Sequence, residues 1–106
     1  MFAFLKKNNF KTVNVNDLVD IKENLNLIDI REPYEYHRGH LPGAKNIPMG
    51  LLVSNPSKYI SQDDTYHIIC QSGARSLSAC NDLEVAGYKV INVGGGTGSY
   101  VGALKR

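Results

Sequence analysis

Short apolar runs rich in β-branched residues recur along this chain, separated by segments of helical spacing or by turn-forming residues, and that alternation points to an α/β architecture. Lys11–Val15 reads as a first strand, Asn26–Ile30 as a second, a short apolar piece around Asn46–Pro48 as a third, Tyr66–Ile69 as a fourth and Tyr88–Val93 as a fifth. Asn16 is placed to cap a helix over Asp17–Glu23, with the acidic Asp17 favourable at its start. Leu51–Val53 and Tyr59–Ile60 flank a further helix that Pro56 keeps short or broken. Leu77, Ala79, Cys80, Leu83, Glu84 and Ala86 have helical spacing before Gly87 stops them. The expected fold is a single three-layer α/β domain over residues 1–106, its central five-stranded, mostly parallel sheet flanked by helices on both faces. A chain of 106 residues is long enough to bury such a core without disulfides or metals.

Composition narrows the function classes. The formal net charge is +2 and the lysines are scattered rather than clustered with aromatics, which argues against nucleic acid as a partner. No stretch approaches the ~20 apolar residues of a membrane span. Met1–Lys7 places its charges after a very short apolar run, the reverse of a secretion signal, so a soluble cytoplasmic protein is expected. Cys70 and Cys80 in a reducing compartment then read as thiols rather than as a structural bridge.

The thiol of Cys70 closes the run Tyr66-His67-Ile68-Ile69 and is followed by Gln71, Ser72, Gly73, Ala74, Arg75 and Ser76. An apolar strand therefore breaks into a small-residue loop that opens a helix. The first N–H groups of a helix lack intrahelical partners, and with the helix dipole they favour negative charge. A thiolate placed there has its pKa lowered from ~8.5 into the range of roughly 3.5–7.5. A lone cysteine at a strand end is usually a small buried hydrophobe. Here Ser72-Gly73-Ala74 let the backbone approach a ligand closely and Arg75 adds a cation, so the functional reading of Cys70 is favoured. Cys80, with Leu77 and Leu83 three residues to either side, reads as core.

Other polar residues are weighed in the same way. Asp29 and Arg31, one residue apart on a strand, point to the same face and are placed to brace the loop from beneath. Arg75 either binds an anionic donor or ties the loop to a carboxylate such as Asp29 or Glu35. His40 sits among turn residues and reads as structural. His67 leaves the opposite strand face from Cys70, so no metal site is expected. The run Gly94-Gly95-Gly96-Thr97-Gly98 fits neither G-x-G-x-x-G nor a phosphate loop, no cofactor is expected, and the run reads as a tight connection near the site.

Three ordered blocks carry a family resemblance: Leu27-Ile28-Asp29-Ile30-Arg31-Glu32-Pro33-Tyr34-Glu35-Tyr36, then Gly39-His40-Leu41-Pro42-Gly43-Ala44-Lys45-Asn46-Ile47-Pro48, then Cys70-Gln71-Ser72-Gly73-Ala74-Arg75-Ser76. From about Val15 to the end, the chain resembles the small single-domain members of the rhodanese family of sulfurtransferases. The resemblance implies a five-stranded α/β domain whose loop thiol takes sulfane sulfur from a donor, becomes a persulfide and passes the sulfur to an acceptor nucleophile. It implies that Cys70 is the sulfur carrier and that the backbone of Gln71, Ser72, Gly73, Ala74 and Arg75 cradles the persulfide. The donor would be a small molecule such as thiosulfate or a persulfide, and the acceptor a thiol, cyanide or a protein; the residues do not name which, nor the oligomeric state. The last block departs from the family pattern, because Gly94–Tyr100 holds no tryptophan and Tyr100 stands where it would pack.

Two rival readings stay open. A cysteine phosphatase or arsenate reductase uses an anion-cradling loop with C-x5-R spacing, whereas Cys70 and Arg75 give C-x4-R, a tighter loop suited to one sulfur. A rhodanese-like module that senses reactive sulfur or binds a partner is the non-enzymatic alternative.

Overall fold

The computed structural model describes residues 10–18 and 25–106. Strands β1 (Lys11–Asn14), β2 (Leu27–Asp29), β3 (Lys45–Asn46), β4 (Thr65–Ile69) and β5 (Lys89–Gly94) form one sheet in the order β1-β5-β4-β2-β3, with every pairing parallel. Helices α1 (Pro33–Arg38), α2 (Met49–Ser54), α3 (Ala74–Val85) and α4 (Gly96–Ser99) lie between and after the strands. The α/β class and the five strands expected from the apolar runs are present, with bounds moved by one or two residues. β2 lies between β4 and β3, and its three residues are all buried, which is why its apolar run is nearly continuous rather than alternating.

The pleat sorts side chains into two cores. On one face Ile28, Ile68 and Val90 pack with Leu52 of α2, with Ala79, Cys80 and Leu83 of α3, and with Cys70. On the other, Leu27, Ile69 and Val93 pack with Val15, Leu41 and Ala44, and Tyr36 and Tyr100 lie against them.

Several local expectations need correction. Asn16 does not cap a helix: Asn14 does the capping, its side-chain oxygen accepting the Asn16 N–H at 2.8 Å at the head of a single 3-10 turn over Val15–Asp17. The rest of the expected helix, residues 19–24, lies outside the described residues. The Asn16 side chain instead donates to the Ser99 carbonyl and accepts from the Val101 N–H, both at 2.9 Å, and so ties down the end of α4. Pro56 does divide its segment: α2 ends at Ser54 and a 3-10 turn over Pro56–Lys58 follows, with the proline at the start, where its missing N–H costs nothing. On α3 the buried stripe is Ser76, Ala79, Cys80 and Leu83, while Leu77 is 38% exposed and does not belong to it.

Asp29 and Arg31 are buried together at the end of β2, with side-chain exposures of 0% and 4%. Asp29 accepts the Arg31 backbone N–H at 3.0 Å, Nε at 3.0 and 3.1 Å, and Nη2 at 2.8 Å. Removing one partner of such a pair strands a charge out of water. Asp29→Ala is therefore expected to lower stability by about 3–5 kcal/mol, read as a fall in the urea midpoint at unchanged slope.

Candidate active site

β4 ends at Ile69 and α3 begins at Ala74, so Cys70 to Gly73 form the turn between them. Gly73 takes φ +106°, in the left-handed region open to glycine, and this turns the chain straight into the helix. The Cys70 sulfur is thereby aimed at the first turn of α3. Its Sγ accepts the Gly73 N–H at 3.1 Å and the Ser76 N–H at 3.3 Å, and the Ser76 hydroxyl lies 3.4 Å away. Cys70 is fully buried, whereas Gln71, Ser72 and Ala74 around it are exposed. Burial pushes the Cys70 pKa up, but the Ser76 hydroxyl and the N–H groups of Ser76, Gly73 and Ser72 together hold it below the ordinary thiol value.

The glycine block backs this loop. Thr97 N–H donates to the Cys70 carbonyl and Gly98 N–H to the Gln71 carbonyl, both at 2.9 Å. A Cβ at Gly96 would stand 2.4 Å from the Cys70 carbonyl oxygen, so this approach admits glycine alone. The tight connection read from the sequence is thus packed against the loop. Tyr100, just beyond it, rests on the second core.

The buried Arg31 reaches the loop from the other side: Nη2 donates to the Gly39 carbonyl at 2.8 Å and Nη1 to Gln71 Oε1 at 3.0 Å. Arg31 thus contacts the loop directly, and Asp29 is joined to it through Arg31. Of the two readings of Arg75, the tie to a carboxylate is the contact that forms, and Glu35 is the partner. The two terminal nitrogens of Arg75 donate to the two oxygens of Glu35 at 2.9 and 3.0 Å, binding the head of α3 to α1. Glu35 raises the Arg75 pKa most, burial opposes it, and the Cys70 charge adds only a lesser part. The same contact with Arg75 is the main cause that brings Glu35 from 4.5 down to about 2.

Ser76 is the residue the sequence reading did not single out, although its N–H donates to Cys70 Sγ, its hydroxyl lies 3.4 Å from that sulfur and donates to the Gly73 carbonyl at 3.2 Å, and it is itself fully buried. The available signal was a small hydroxyl residue in the first turn of the helix. Cys80 sits in the same apolar cluster without such donors, and burial, then the charge of Cys70, push it up to about 12. His40 stacks on Tyr36 at 3.7 Å and 5° and exchanges backbone hydrogen bonds with Lys105. His67 has a buried Nδ1 without a partner among the described residues, and burial lowers its pKa.

Residues 14–103 match the family model described as the rhodanese-like domain. The chain belongs to that family. It is 43% identical over 75 residues to a protein of Allochromatium vinosum named "Sulfurtransferase", covering 70% of this chain and 69% of that one. It is 40% identical over 85 residues to the Bacillus subtilis "Putative sulfur carrier protein YrkF", covering 79% of this chain but spanning only 45% of that protein's length. The crystal structure of SSP1007 from Staphylococcus saprophyticus superposes with a TM-score of 0.80 at 30% identity, over 92% of this chain and 100% of that one. Among the described residues of this rhodanese-like chain, no helix is long and apolar enough to cross a membrane.

Two measurements check the electrostatics of the site. The pH midpoint for alkylation of Cys70 by iodoacetamide is expected to lie below that of an ordinary thiol, and Ser76→Ala to move it upward, because the Ser76 hydroxyl is one of the groups that hold the Cys70 pKa down. For Glu35 the folded pKa lies below the unfolded one, so the unfolded chain takes up the proton first as pH falls. The stabilisation by the Glu35–Arg75 pair is complete above pH 4.5 and is lost between there and about 2. Urea midpoints of the native protein and of Glu35→Gln are expected to differ at neutral pH and to converge through that window.

Proposed function

We propose that this protein is a cytoplasmic sulfurtransferase in which Cys70 takes a sulfane sulfur from thiosulfate or a persulfide, carries it as a persulfide and passes it to a thiol, cyanide or protein acceptor. The observation that carries the reading is the pair of N–H groups, of Gly73 at 3.1 Å and of Ser76 at 3.3 Å, that converge on Cys70 Sγ, with the Ser76 hydroxyl 3.4 Å away. An ionised thiol held in this way is a ready nucleophile and needs no base. It attacks the outer sulfur of thiosulfate: a bond forms between Sγ and that sulfur, the sulfur–sulfur bond of the donor breaks, and sulfite leaves with the electron pair. The new terminal sulfur carries the negative charge, which the backbone of Gln71, Ser72, Gly73, Ala74 and Arg75 cradles as donors hold an oxyanion. In the second half, cyanide attacks the terminal sulfur, thiocyanate departs and Cys70 returns as the thiolate. Asp29 and Arg31 serve by holding Gln71, and with it the loop, in place.

A phosphate ester makes a different demand. Its oxygens need a guanidinium turned into the loop, and Arg75 is engaged by both oxygens of Glu35. That contact and the short spacing both favour sulfur over phosphate.

Intact mass after incubation with thiosulfate tests the assignment. Native protein and Cys80→Ser are expected to gain one sulfur and lose it to cyanide, whereas Cys70→Ser gains none. Loading on Cys70→Ser, or steady hydrolysis of an aryl phosphate by the native protein, would overturn the reading.

A further inference from the structure

Cys70 is fully buried, so even a water-sized molecule does not touch its sulfur until a neighbouring group moves. A cavity of about 480 Å³ stops beside it, with Gln71, Gly98, Tyr100 and Leu104 in its lining but not Cys70 itself. The walls of this cavity differ in how firmly they are held. Arg31 is 3% exposed and bonded to Asp29, Gly39 and Gln71. Glu35 is engaged by both terminal nitrogens of Arg75, and the Gly98 N–H is bonded to the Gln71 carbonyl. Leu104 belongs instead to a strap, residues 101–106, every one of which is exposed. Among the described residues three hydrogen bonds hold that strap: from the Val101 N–H to Asn16 Oδ1 at 2.9 Å, and the reciprocal backbone pair between His40 and Lys105 at 2.9 and 2.8 Å. Leu104 is 43% exposed and rests on Gly39, where a Cβ would stand 3.0 Å from its Cδ1.

We infer that this strap is the gate of the sulfur site and detaches from His40 to let a donor reach Cys70. The inference rests on the sulfur-transfer reading and adds how that site is opened. Hydrogen bonds open to water contribute little net stability, so a segment held by three of them visits an open state readily, on the order of 0.1–10% of the time. The attachment also links the strap to the loop. One peptide unit, between Gly39 and His40, carries both ends of the connection: its carbonyl accepts Arg31 Nη2 at 2.8 Å and its N–H donates to the Lys105 carbonyl. Each of these bonds polarises the amide in the sense that strengthens the other. Losing Lys105 therefore weakens the hold of Gly39 on Arg31, and Arg31 is what orients the Gln71 side chain next to the nucleophile. The departure of Leu104 at the same moment widens the cavity and gives Gln71 room to turn aside. Closed, the site keeps water and bulky reagents off the thiolate; open, it admits the donor.

Two measurements test the gate. In the native protein the His40 and Lys105 amides are expected to exchange with deuterium at similar rates, at least about tenfold faster than the Ile30 amide, which bonds to the Ile69 carbonyl. The second uses the Cys80→Ser protein, in which Cys70 is the one remaining thiol, and the neutral aromatic disulfide dithiodipyridine as a bulky probe. Adding Lys105→Pro, which removes the N–H that the His40 carbonyl accepts, is expected to raise the rate of reaction at least about tenfold, with the pH midpoint of Cys70 unchanged and the thermal midpoint retained. Exchange of His40 and Lys105 as slow as that of Ile30 would overturn the gate while leaving sulfur transfer intact. So would an unchanged dithiodipyridine rate, or a faster one that comes from a lowered pH midpoint. Failure of thiosulfate to load either protein, with the exchange and probe rates as expected, would instead overturn the reading beneath it.

Discussion

The guanidinium of Arg31 joins parts of the chain that are otherwise far apart. One buried side chain holds Asp29 on its own strand, the Gly39 carbonyl at the end of α1 and the Gln71 amide in the loop. A charge out of water is tolerable only when its donors are occupied, so the position of each partner is set by the others. The planar fork of the guanidinium adds direction, which a lysine would not supply. The end of β2, the entry to the loop and the floor of the neighbouring cavity are therefore placed as one unit.

Cys70 and Cys80 show what this placement does for chemistry. Both are fully buried and belong to the same apolar cluster, yet the first thiol is shifted down and the second up to about 12. Burial acts on both in the same direction. The difference lies in the N–H groups of Ser72, Gly73 and Ser76 and the Ser76 hydroxyl, which outweigh desolvation at Cys70 alone. Arg75, the conspicuous cation of the motif, spends its two donors on Glu35 and acts mainly by fastening α3 to α1.

Much of this was legible in the chain because it is local. β-branched runs, Pro56 and the step from Ile69 into small residues each express a short-range preference, and the strands, the divided helix and the strand-to-helix turn follow. The errors arose where neighbours in space outweighed neighbours in sequence. Asn14 and Asn16 are equally good capping residues, and what separates them is that Ser99 and Val101 claim the side chain of Asn16. Leu77 matches the helical spacing of Cys80 and Leu83 but faces outward, because the sheet presents itself to the stripe of Ser76, Ala79, Cys80 and Leu83.

The sequence by itself determined the α/β class, the three family blocks and the position of the thiol at a strand end facing a helix start, since each is written in adjacent residues and in the intrinsic geometry of glycine, proline and helix termini. Only the tertiary structure decided that Glu35 engages Arg75, that Ser76 reaches back to Cys70, that Arg31 orients Gln71 and that the Thr97 hydroxyl is buried with no partner among the described residues. These are choices among chemically equivalent partners. A carboxylate, a hydroxyl or an amide is bound by whichever group the packing of the sheet and helices brings within hydrogen-bonding distance, and that distance is not encoded at any single position.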